Sequence, residues 1–244
     1  MGLFGILDVA GLIENVGVVN GNVTGYNNAG GLVGRNDGTI INNTYYTGNV
    51  TGNANVGGLV GYNFFGTATD AYSSGIVTGQ TNVGGLFGWD RGTTTDSYST
   101  SSATGDDNVG GLTGKNSGTT SNSYATGSVT GDDNVGGLVG RNDNAGTVNN
   151  CYSTGNVTGN THVGGLMGRG FGTVSNSFWD TETSGQAAPD GGTGKTTAEM
   201  KNIATFSGAG WNIIAVANPS TRNPSYIWNI VDTVTYPFLS WQPV

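Results

Sequence analysis

Asn134-Val135-Gly136-Gly137-Leu138-Val139-Gly140 is one copy of the pattern that decides the fold. Its central part, Gly-Gly-Leu followed by one further residue and Gly, occurs six times. The six leucines are Leu32, Leu59, Leu86, Leu112, Leu138 and Leu166. Counted from Leu3 of a shorter copy, successive leucines are 26 to 29 residues apart. A fixed period of this length is the signature of a repeat fold in which each copy is one structural unit.

Two further markers keep the same spacing. A Thr precedes each of the six leucines by 8 residues, and an aromatic residue precedes five of these threonines by 6. The five aromatic residues are Tyr45, Tyr72, Tyr98, Tyr124 and Tyr152. Only the arc from Leu to the next aromatic residue changes length. Stacked coils tolerate insertions where the chain bulges outward. The arc from Tyr to Leu is therefore predicted to be stacked wall, and the segment directly after the motif a loop.

The period predicts an all-β fold, a parallel β-solenoid of about six to seven coils with 26–29 residues each. A leucine-rich repeat has a similar length but needs several spaced leucines per repeat, and each copy here has one. Glycine makes up 46 of the 244 residues. We expect it at sharp corners, where φ is positive or backbones approach closely.

Along the wall, side chains of one type recur at every second residue. One parity carries Tyr45, Thr47 and Thr51, and the other carries Tyr46 and Val50. Later copies have mostly small and apolar residues at the second parity, which suits a narrow interior, so we expect the Tyr and Thr rows to face solvent. The alternative, a Tyr row buried as the core stripe, stays open at this point.

An Asn or Asp stands two positions before each of these five aromatic residues and before Phe178, the aromatic residue of the last copy. These residues are Asn43, Asp70, Asp96, Asn122, Asn150 and Asn176. Side-chain amides at a turn can bond the backbone of their own coil and the equivalent amide of the next. We interpret this row as structural.

The copies at Asn122–Gly140 and Asn150–Gly168 have the pattern Asn-x-Tyr-x-Thr-Gly-x-Val-Thr-Gly followed by Val-Gly-Gly-Leu-x-Gly. This pattern resembles the GLUG-motif family, and the resemblance covers about residues 1–185. It implies a repeat region of secreted or cell-surface proteins of bacteria or archaea, with no catalytic residue common to the family. The opening Gly2-Leu3-Phe4-Gly5 is similar to the later copies, so we expect a piece of a longer chain.

The periodicity stops near residue 185, so 186–244 is predicted to be a C-terminal capping segment. Residues 185–195 are rich in Gly, Pro and Asp and are typical of a connecting loop. Thr196 and Glu199 form a capping-box pattern, which predicts a short helix near 196–206. The tryptophans and other aromatic residues of the tail are expected to cover the open end of the solenoid. A carbohydrate platform is the alternative for them.

Charge and composition exclude several function classes. Charged residues make up 10% of the chain and the net charge is −8, which disfavours nucleic-acid binding. No apolar run is long enough to insert into a membrane. The one histidine, His162, aligns with turn asparagines, and the one cysteine, Cys151, aligns with small wall residues. We therefore predict no catalytic residues and no enzyme.

Paired carboxylates are the candidate metal ligands. Asp106-Asp107 and Asp132-Asp133 align one coil apart. Stacking would bring four carboxylates to one corner, where Ca²⁺ with its preference for oxygen ligands could relieve their repulsion. No cofactor is otherwise expected. Solvated turn residues are the plainer interpretation of these aspartates.

The segment after each motif supplies the candidate contact surface. Five of the eight basic residues occur there, interleaved with aromatic residues. The predicted contact residues are Arg35, Tyr62, Trp89, Arg91, Lys115, Arg141 and Arg169. Cations and exposed aromatics carried on a rigid scaffold are typical of a surface that binds a protein or a glycan.

The sequence therefore predicts a non-enzymatic extracellular module of a larger surface protein, acting in adhesion or as a structural spacer. Its expected partners are a cell-surface protein, a glycan or further domains of the same polypeptide. The alternative is ice binding through a flat Thr face. That face would consist of Thr47, Thr51, Thr78, Thr100, Thr104, Thr126, Thr130, Thr154 and Thr158.

Overall fold

Three parallel sheets run along a solenoid of seven coils. The computed structural model describes residues 1–187 and 190–243. Sheet A has seven strands, each of which begins at the residue directly after the leucine of a motif copy. They are Phe4–Leu7, Val33–Asn36, Val60–Asn63, Phe87–Asp90, Thr113–Asn116, Val139–Asn142 and Met167–Gly170.

Sheet C lies on the other side of the motif leucine. Its six strands are Asn27–Gly30, Ala54–Gly57, Thr81–Gly84, Asp107–Gly110, Asp133–Gly136 and Thr161–Gly164. Sheets A and C approach so closely that Gly61 has no room for a side chain, because a Cβ there would lie 2.5 Å from the carbonyl carbon of Asn28. The glycines of the motif thus allow backbone contact across a thin coil.

Sheet B is the wall predicted from the Tyr and Thr spacing. Its sixteen strands are Leu12–Glu14, Gly17–Thr24, Ile40–Thr51, Thr67–Thr78, Thr93–Thr95, Tyr98–Ser99, Ser102–Thr104, Thr119–Ser121, Tyr124–Ala125, Val129–Thr130, Thr147–Asn149, Tyr152–Ser153, Val157–Thr158, Thr173–Ser175, Phe178–Asp180 and Thr193–Lys195. Neighbouring coils pair in register, so that Thr51 lies beside Thr78 and Tyr45 beside Tyr72.

The motif leucines form the centre of the core, and all six are fully buried. One inward row of sheet B shows how the core ends. Its middle members are small, as in Ser99 and Ala125, whereas Tyr46 flanks them on the N-terminal side and Trp179 on the C-terminal side; Val18 and Gly194 continue the row beyond the two rings. Both large rings are buried, at 1% and 2% exposure. Each closes one end of an interior too narrow for a ring in the middle coils.

The left-handed corners are occupied by asparagine more than by glycine. Asn55 and Asn82 have φ of 54°, and Asn43 and Asn122 have φ near 45°. A short polar side chain tolerates this conformation and bonds to its neighbour. The expectation that glycine would take these corners was therefore wrong for most of them. The structural interpretation of the Asn/Asp row is confirmed by its positive φ and by bonds between coils, such as Asn43 to Asn15.

The predicted loop after the motif is largely strand. Each strand of sheet A begins at the residue directly after the motif leucine, as in Val33–Asn36 and Val139–Asn142. Length variation is confined to the short turns that follow, such as 37–39 and 143–146. The sheet-A strands are held by in-register pairing, which a loop could not provide.

The C-terminal segment differs from its prediction in detail. Within the described residues it contains two short helices, α2 (Thr197–Met200) and α3 (Ile203–Ser207), and a third, α1 (Thr181–Ser184), directly precedes it. The capping box of Thr196 and Glu199 begins α2. The single predicted helix is interrupted because Asn202 is extended, with φ −100° and ψ 123°, and caps α3 through Ala204.

The segment 185–195 is not wholly a loop. Thr193–Lys195 adds a parallel strand to Phe178–Asp180, and Gly192 lies against Leu166. Residues 188 and 189 lie outside the described part. Together with Trp179, this segment covers the last coil.

The aromatic tail covers the side wall, where we had expected it to cover the end. Ile213–Ala215, Trp228–Ile230 and Phe238–Leu239 form a small sheet. Trp211, Trp228 and other tail residues join a cluster with Tyr98, Tyr124 and Tyr152. The Tyr row thus points away from the solenoid interior, as its parity predicts, yet the tail buries Tyr98, Tyr124 and Tyr152, whereas Tyr45 and Tyr72 are half-buried.

Candidate functional site: a cation and aromatic row

Six of the predicted contact residues come together on sheet A in one continuous row. Each is the third residue of its strand, and each lies beside the equivalent residue of the next coil. In order along the solenoid the row is Arg35, Tyr62, Trp89, Lys115, Arg141 and Arg169. All six side chains are half-buried. The seventh predicted residue, Arg91, lies in a turn two positions after Trp89.

A second row runs parallel to the first, in the turns that follow the strands. It contains Phe64, Arg91, Ser117, Asp143 and Phe171, and the backbone N–H of each donates to the coil before it. We call the two rows together the cation–aromatic face. The turn position two residues after each member of the first row from Tyr62 to Arg169 was the signal for the second row in the sequence.

The cations of this face pack against its aromatic rings. The Lys115 ammonium lies 4.4 Å from the ring centroid of Trp89. The Arg169 guanidinium lies 4.9 Å from the ring of Phe171, and that of Arg91 lies 5.0 Å from Phe64. Such contacts favour both partners when water is partly excluded. They hold long side chains in place before any ligand arrives.

Asp143 is the carboxylate at the centre of the face. It accepts from Arg141 Nε at 2.9 Å and lies 3.2 Å from Lys115 Nζ. Ser117 also donates to it at 2.8 Å, and Trp89 donates to Ser117. Partial burial opposes ionisation, but the hydrogen bond from Ser117 and the charges of Lys115 and Arg141 outweigh it and lower the pKa of Asp143.

A groove of about 710 Å³ opens between these side chains. Trp89 and Arg91 line one part of it, and Arg141 and Phe171 line another. Phe171 is 47% exposed. The groove therefore offers aromatic faces and guanidinium groups to a ligand from solvent.

Charge separates this face from the rest of the molecule. It carries five of the eight basic residues of a chain whose net charge is −8. Two carboxylates, Asp37 and Asp143, form ion pairs with it. Among the residues that the structure describes, Arg91 and Arg169 make no ion pair with a carboxylate. The face is locally positive on an acidic protein.

A buried polar ladder supports the row from below, and the sequence analysis did not identify it. Asn36 Nδ2 donates to Asn63 Oδ1 at 2.9 Å, and Asn63 Nδ2 donates to Asp90 Oδ1 at 2.8 Å. Asn116 and Asn142 continue the same position. Burial raises the pKa of Asp90, although bonds from Thr94, Gly92 and Asn63 favour its charged form. The Asn or Asp that directly follows each row residue from Arg35 to Arg141 was the available signal.

The Thr residues of sheet B form a separate surface. Thr24, Thr51, Thr78, Thr104, Thr130 and Thr158 lie in register, and all six are exposed. The neighbouring Thr row is less open: Thr100 and Thr126 are exposed, whereas Thr47 and Thr154 are half-buried.

The acidic corner lies on sheet C. Asp107 and Asp133 are adjacent in register, and Asp106 and Asp132 are exposed beside them. His162 Nδ1 lies 2.8 Å from Asp133, and Asn134 donates to Asp107 at 2.8 Å. In the part of the chain that the structure describes, no group of three or more His, Cys, Asp or Glu side chains is placed to hold a metal ion. Calcium binding here stays a prediction.

Cys151 is unsuited to nucleophilic chemistry. It is fully buried, and burial raises the pKa of its thiol to about 12. The interpretation of Cys151 as a small wall residue is confirmed. His162, in contrast, is exposed in a left-handed corner with φ 49°, the position of the turn asparagines.

A second cleft, of about 350 Å³, lies where the tail meets the wall. Asp70, Asp96, Tyr226 and Trp241 line it. Burial and the neighbouring charge of Asp96 raise the pKa of Asp70 to about 6. Desolvation likewise raises the pKa of Asp96, against a hydrogen bond from Asn122. Asp70 and Asp96 are the two aspartates of the Asn/Asp row, whose other members are asparagines.

One coil of the solenoid matches the model of a known family. The family model described as the GLUG motif matches residues 131–158. These residues carry the GLUG motif. The matched coil includes Leu138, Arg141 and Asp143, so part of the cation–aromatic face lies within the GLUG repeat.

Two similar proteins extend the comparison. A protein of Evansella cellulosilytica provisionally named a Gly-rich membrane protein is 51% identical over 41 residues. That stretch is 17% of this chain and 5% of the relative. A Bacteroides ovatus crystal structure, provisionally named an immunoglobulin A1 protease, superposes with a TM-score of 0.60 at 16% identity, covering 95% of this chain and 76% of that one. This likeness shows the solenoid fold alone.

Within the residues described, no helix is long and apolar enough to cross a membrane.

Proposed function

We propose that this GLUG repeat solenoid is a non-enzymatic module of a larger extracellular or cell-surface protein, and that it acts in adhesion. The contact surface is the cation–aromatic face. The observation that carries the proposal is the unbroken in-register row from Arg35 to Arg169. A rigid scaffold that repeats cations and rings along one side favours an extended ligand.

Three further points support this proposal. The groove beside Trp89 is open to solvent, and Arg91 and Arg169 are stacked on rings while keeping their charge available. Aromatic residues and arginine dominate the energetics of protein contacts. The provisional description of the Evansella relative as a membrane protein agrees with a location at a bacterial cell surface.

The test is a binding screen of the purified chain against immobilised glycans and extracellular proteins. We expect a ligand whose binding is lost in Trp89→Ala and Arg91→Gln and retained in Thr104→Ser, a matched surface change on sheet B. Uniformly negative screens would favour the structural spacer. A reproducible hydrolytic activity that disappears on changing Asp132 or Asp133 would overturn the non-enzymatic assignment.

Ice binding through the Thr face is the second candidate. The register and exposure of the six threonines from Thr24 to Thr158 favour it, because coils repeat at about 4.8 Å and alternate outward residues are about 6.6–7 Å apart. Thermal hysteresis of the purified chain is the measurement. Hysteresis that vanishes in Thr104→Tyr and Thr130→Tyr would support this function, and its absence at high protein concentration would exclude it.

A further inference from the structure

We infer that the ligand of the cation–aromatic face is an acidic linear polysaccharide that carries one carboxylate on each sugar unit. This inference rests on the proposed contact function and specifies its ligand. Three properties of the face support this ligand: the spacing of its cations, the position of its rings, and the carboxylate already bound there.

The cations recur at the repeat of the coils. Lys115, Arg141 and Arg169 lie on three consecutive coils in register, so their attachment points are about 4.8 Å apart. Each guanidinium group can hold a carboxylate through two parallel hydrogen bonds. A ligand with one carboxylate per unit of similar length can therefore meet successive cations.

Spacing also separates a polysaccharide from an acidic peptide. In an extended peptide, side chains on one face are about 6.6–7 Å apart, which does not match the coil repeat of about 4.8 Å, so consecutive acidic side chains cannot meet consecutive cations. A pyranose ring is close to one coil repeat in length. A polyuronate chain laid along the face can thus stay in step with the coils that carry the cations.

The rings supply the second part of the recognition. Phe171 is 47% exposed and Phe65 is 63% exposed, and both lie beside guanidinium groups. The apolar C–H face of a sugar can pack on such a ring while its carboxylate meets the neighbouring cation. Burial of both surfaces contributes to binding.

Asp143 shows that this arrangement accepts a carboxylate. Its side chain occupies the place between Lys115 and Arg141, with N to O distances of 3.2 Å and 2.9 Å. It is also a competitor, because it neutralises two cations that a ligand would use. Removal of its negative charge should therefore strengthen the binding of an anionic ligand, because both cations then become available to it.

The experiment measures binding of the full chain to oligogalacturonate by isothermal calorimetry at two salt concentrations. Its uncharged match is the same oligomer with methyl-esterified carboxylates. A sulfated glycan and polyglutamate complete the set. We expect binding to oligogalacturonate that weakens with salt and falls at least tenfold on esterification.

Three variants locate the site. Arg169→Gln is expected to weaken binding about tenfold, Asp143→Asn to strengthen it several-fold, and Lys195→Gln, which removes one charge from the C-terminal segment, to leave it unchanged. Thermal unfolding verifies that each variant is folded. Because Arg169 makes no ion pair within the described chain, its replacement should cost little stability.

The outcomes separate this inference from the proposed function. Equal binding of the ester or of polyglutamate, a preference for the sulfated glycan, or weaker binding by Asp143→Asn would overturn the polyuronate ligand. If a neutral glycan or a protein instead binds through Arg169 and Trp89, the adhesive function stands and this inference fails. If no ligand in the wider screen depends on the face, the proposed function itself fails.

Discussion

The phenol of Tyr152 donates a hydrogen bond to the backbone carbonyl of Pro237, at 2.5 Å, across 85 residues of chain. This bond joins the stacked tyrosines of the wall to the C-terminal tail. Neighbouring rings in the stack are 4.9–5.0 Å apart and nearly parallel. The repeat geometry thus provides the surface on which the tail folds.

Tyr152→Phe tests this bond. The variant keeps the ring but leaves the buried Pro237 carbonyl without its partner, so we expect a loss of about 1–3 kcal/mol in the free energy of unfolding. Denaturant unfolding measures it. Tyr45→Phe is the control, because Tyr45 lies at the half-exposed end of the same stack. Equal effects of the two changes would contradict a specific role for the Pro237 contact.

Asp70→Asn tests the acid pair. The pKa of Asp70 is about 6 in the fold, above its usual value near 4 when unfolded, so the folded state binds more protons between these values. Stability therefore falls as pH rises from about 4 to about 6. The amide stays neutral and is expected to stabilise the protein at pH 7 and to have little effect below pH 4.

Thermal unfolding across this pH range measures the difference. Asp106→Asn is the matched control, since it removes an exposed carboxylate from the same chain. We expect only Asp70→Asn to flatten the slope of melting temperature against pH between 4 and 6. A flattening of the same size in both variants would assign the effect to net charge.

Asn108→Ala tests the corner ladder. Asn108 donates to Asn82 at 2.9 Å, accepts from Asn134 at 3.1 Å, and has φ 55°. Alanine loses both bonds and is strained in this conformation, for an expected cost of about 2–4 kcal/mol. Asn108→Gly loses the bonds but relieves the strain. It should be about 1 kcal/mol less destabilising, and a larger loss for glycine would contradict this account.

Calcium at the acidic corner is the last prediction. A cation shared by Asp107 and Asp133 would bind only the folded chain and raise its melting temperature. The measurement compares EDTA with millimolar Ca²⁺, and Asp107→Asn should abolish the shift. Identical melting temperatures in the two conditions would show that calcium does not bind at this corner.

The repeat determined much of this molecule through its sequence alone. A period of 26–29 residues fixed the solenoid, and the constant distance from Tyr to Leu fixed the register of the wall. Register then placed Trp89, Lys115 and Arg141 side by side, because equivalent residues of stacked coils must be neighbours. For the same reason the Asn and Asp residues of the corners formed ladders.

The tertiary structure decided those contacts that neither the repeat period nor the alternation along the wall specifies. The alternation correctly placed Tyr152 on the outer side of sheet B, but its burial depends on the tail, whose residues around Pro237 have no repeat relation to the wall. Likewise, Trp179 fills the last coil because it follows a run of small residues in an inward row, of which Ser153 is its direct neighbour. Contacts between non-equivalent segments depend on side-chain shape at one place, whereas contacts between coils follow from the repeat itself.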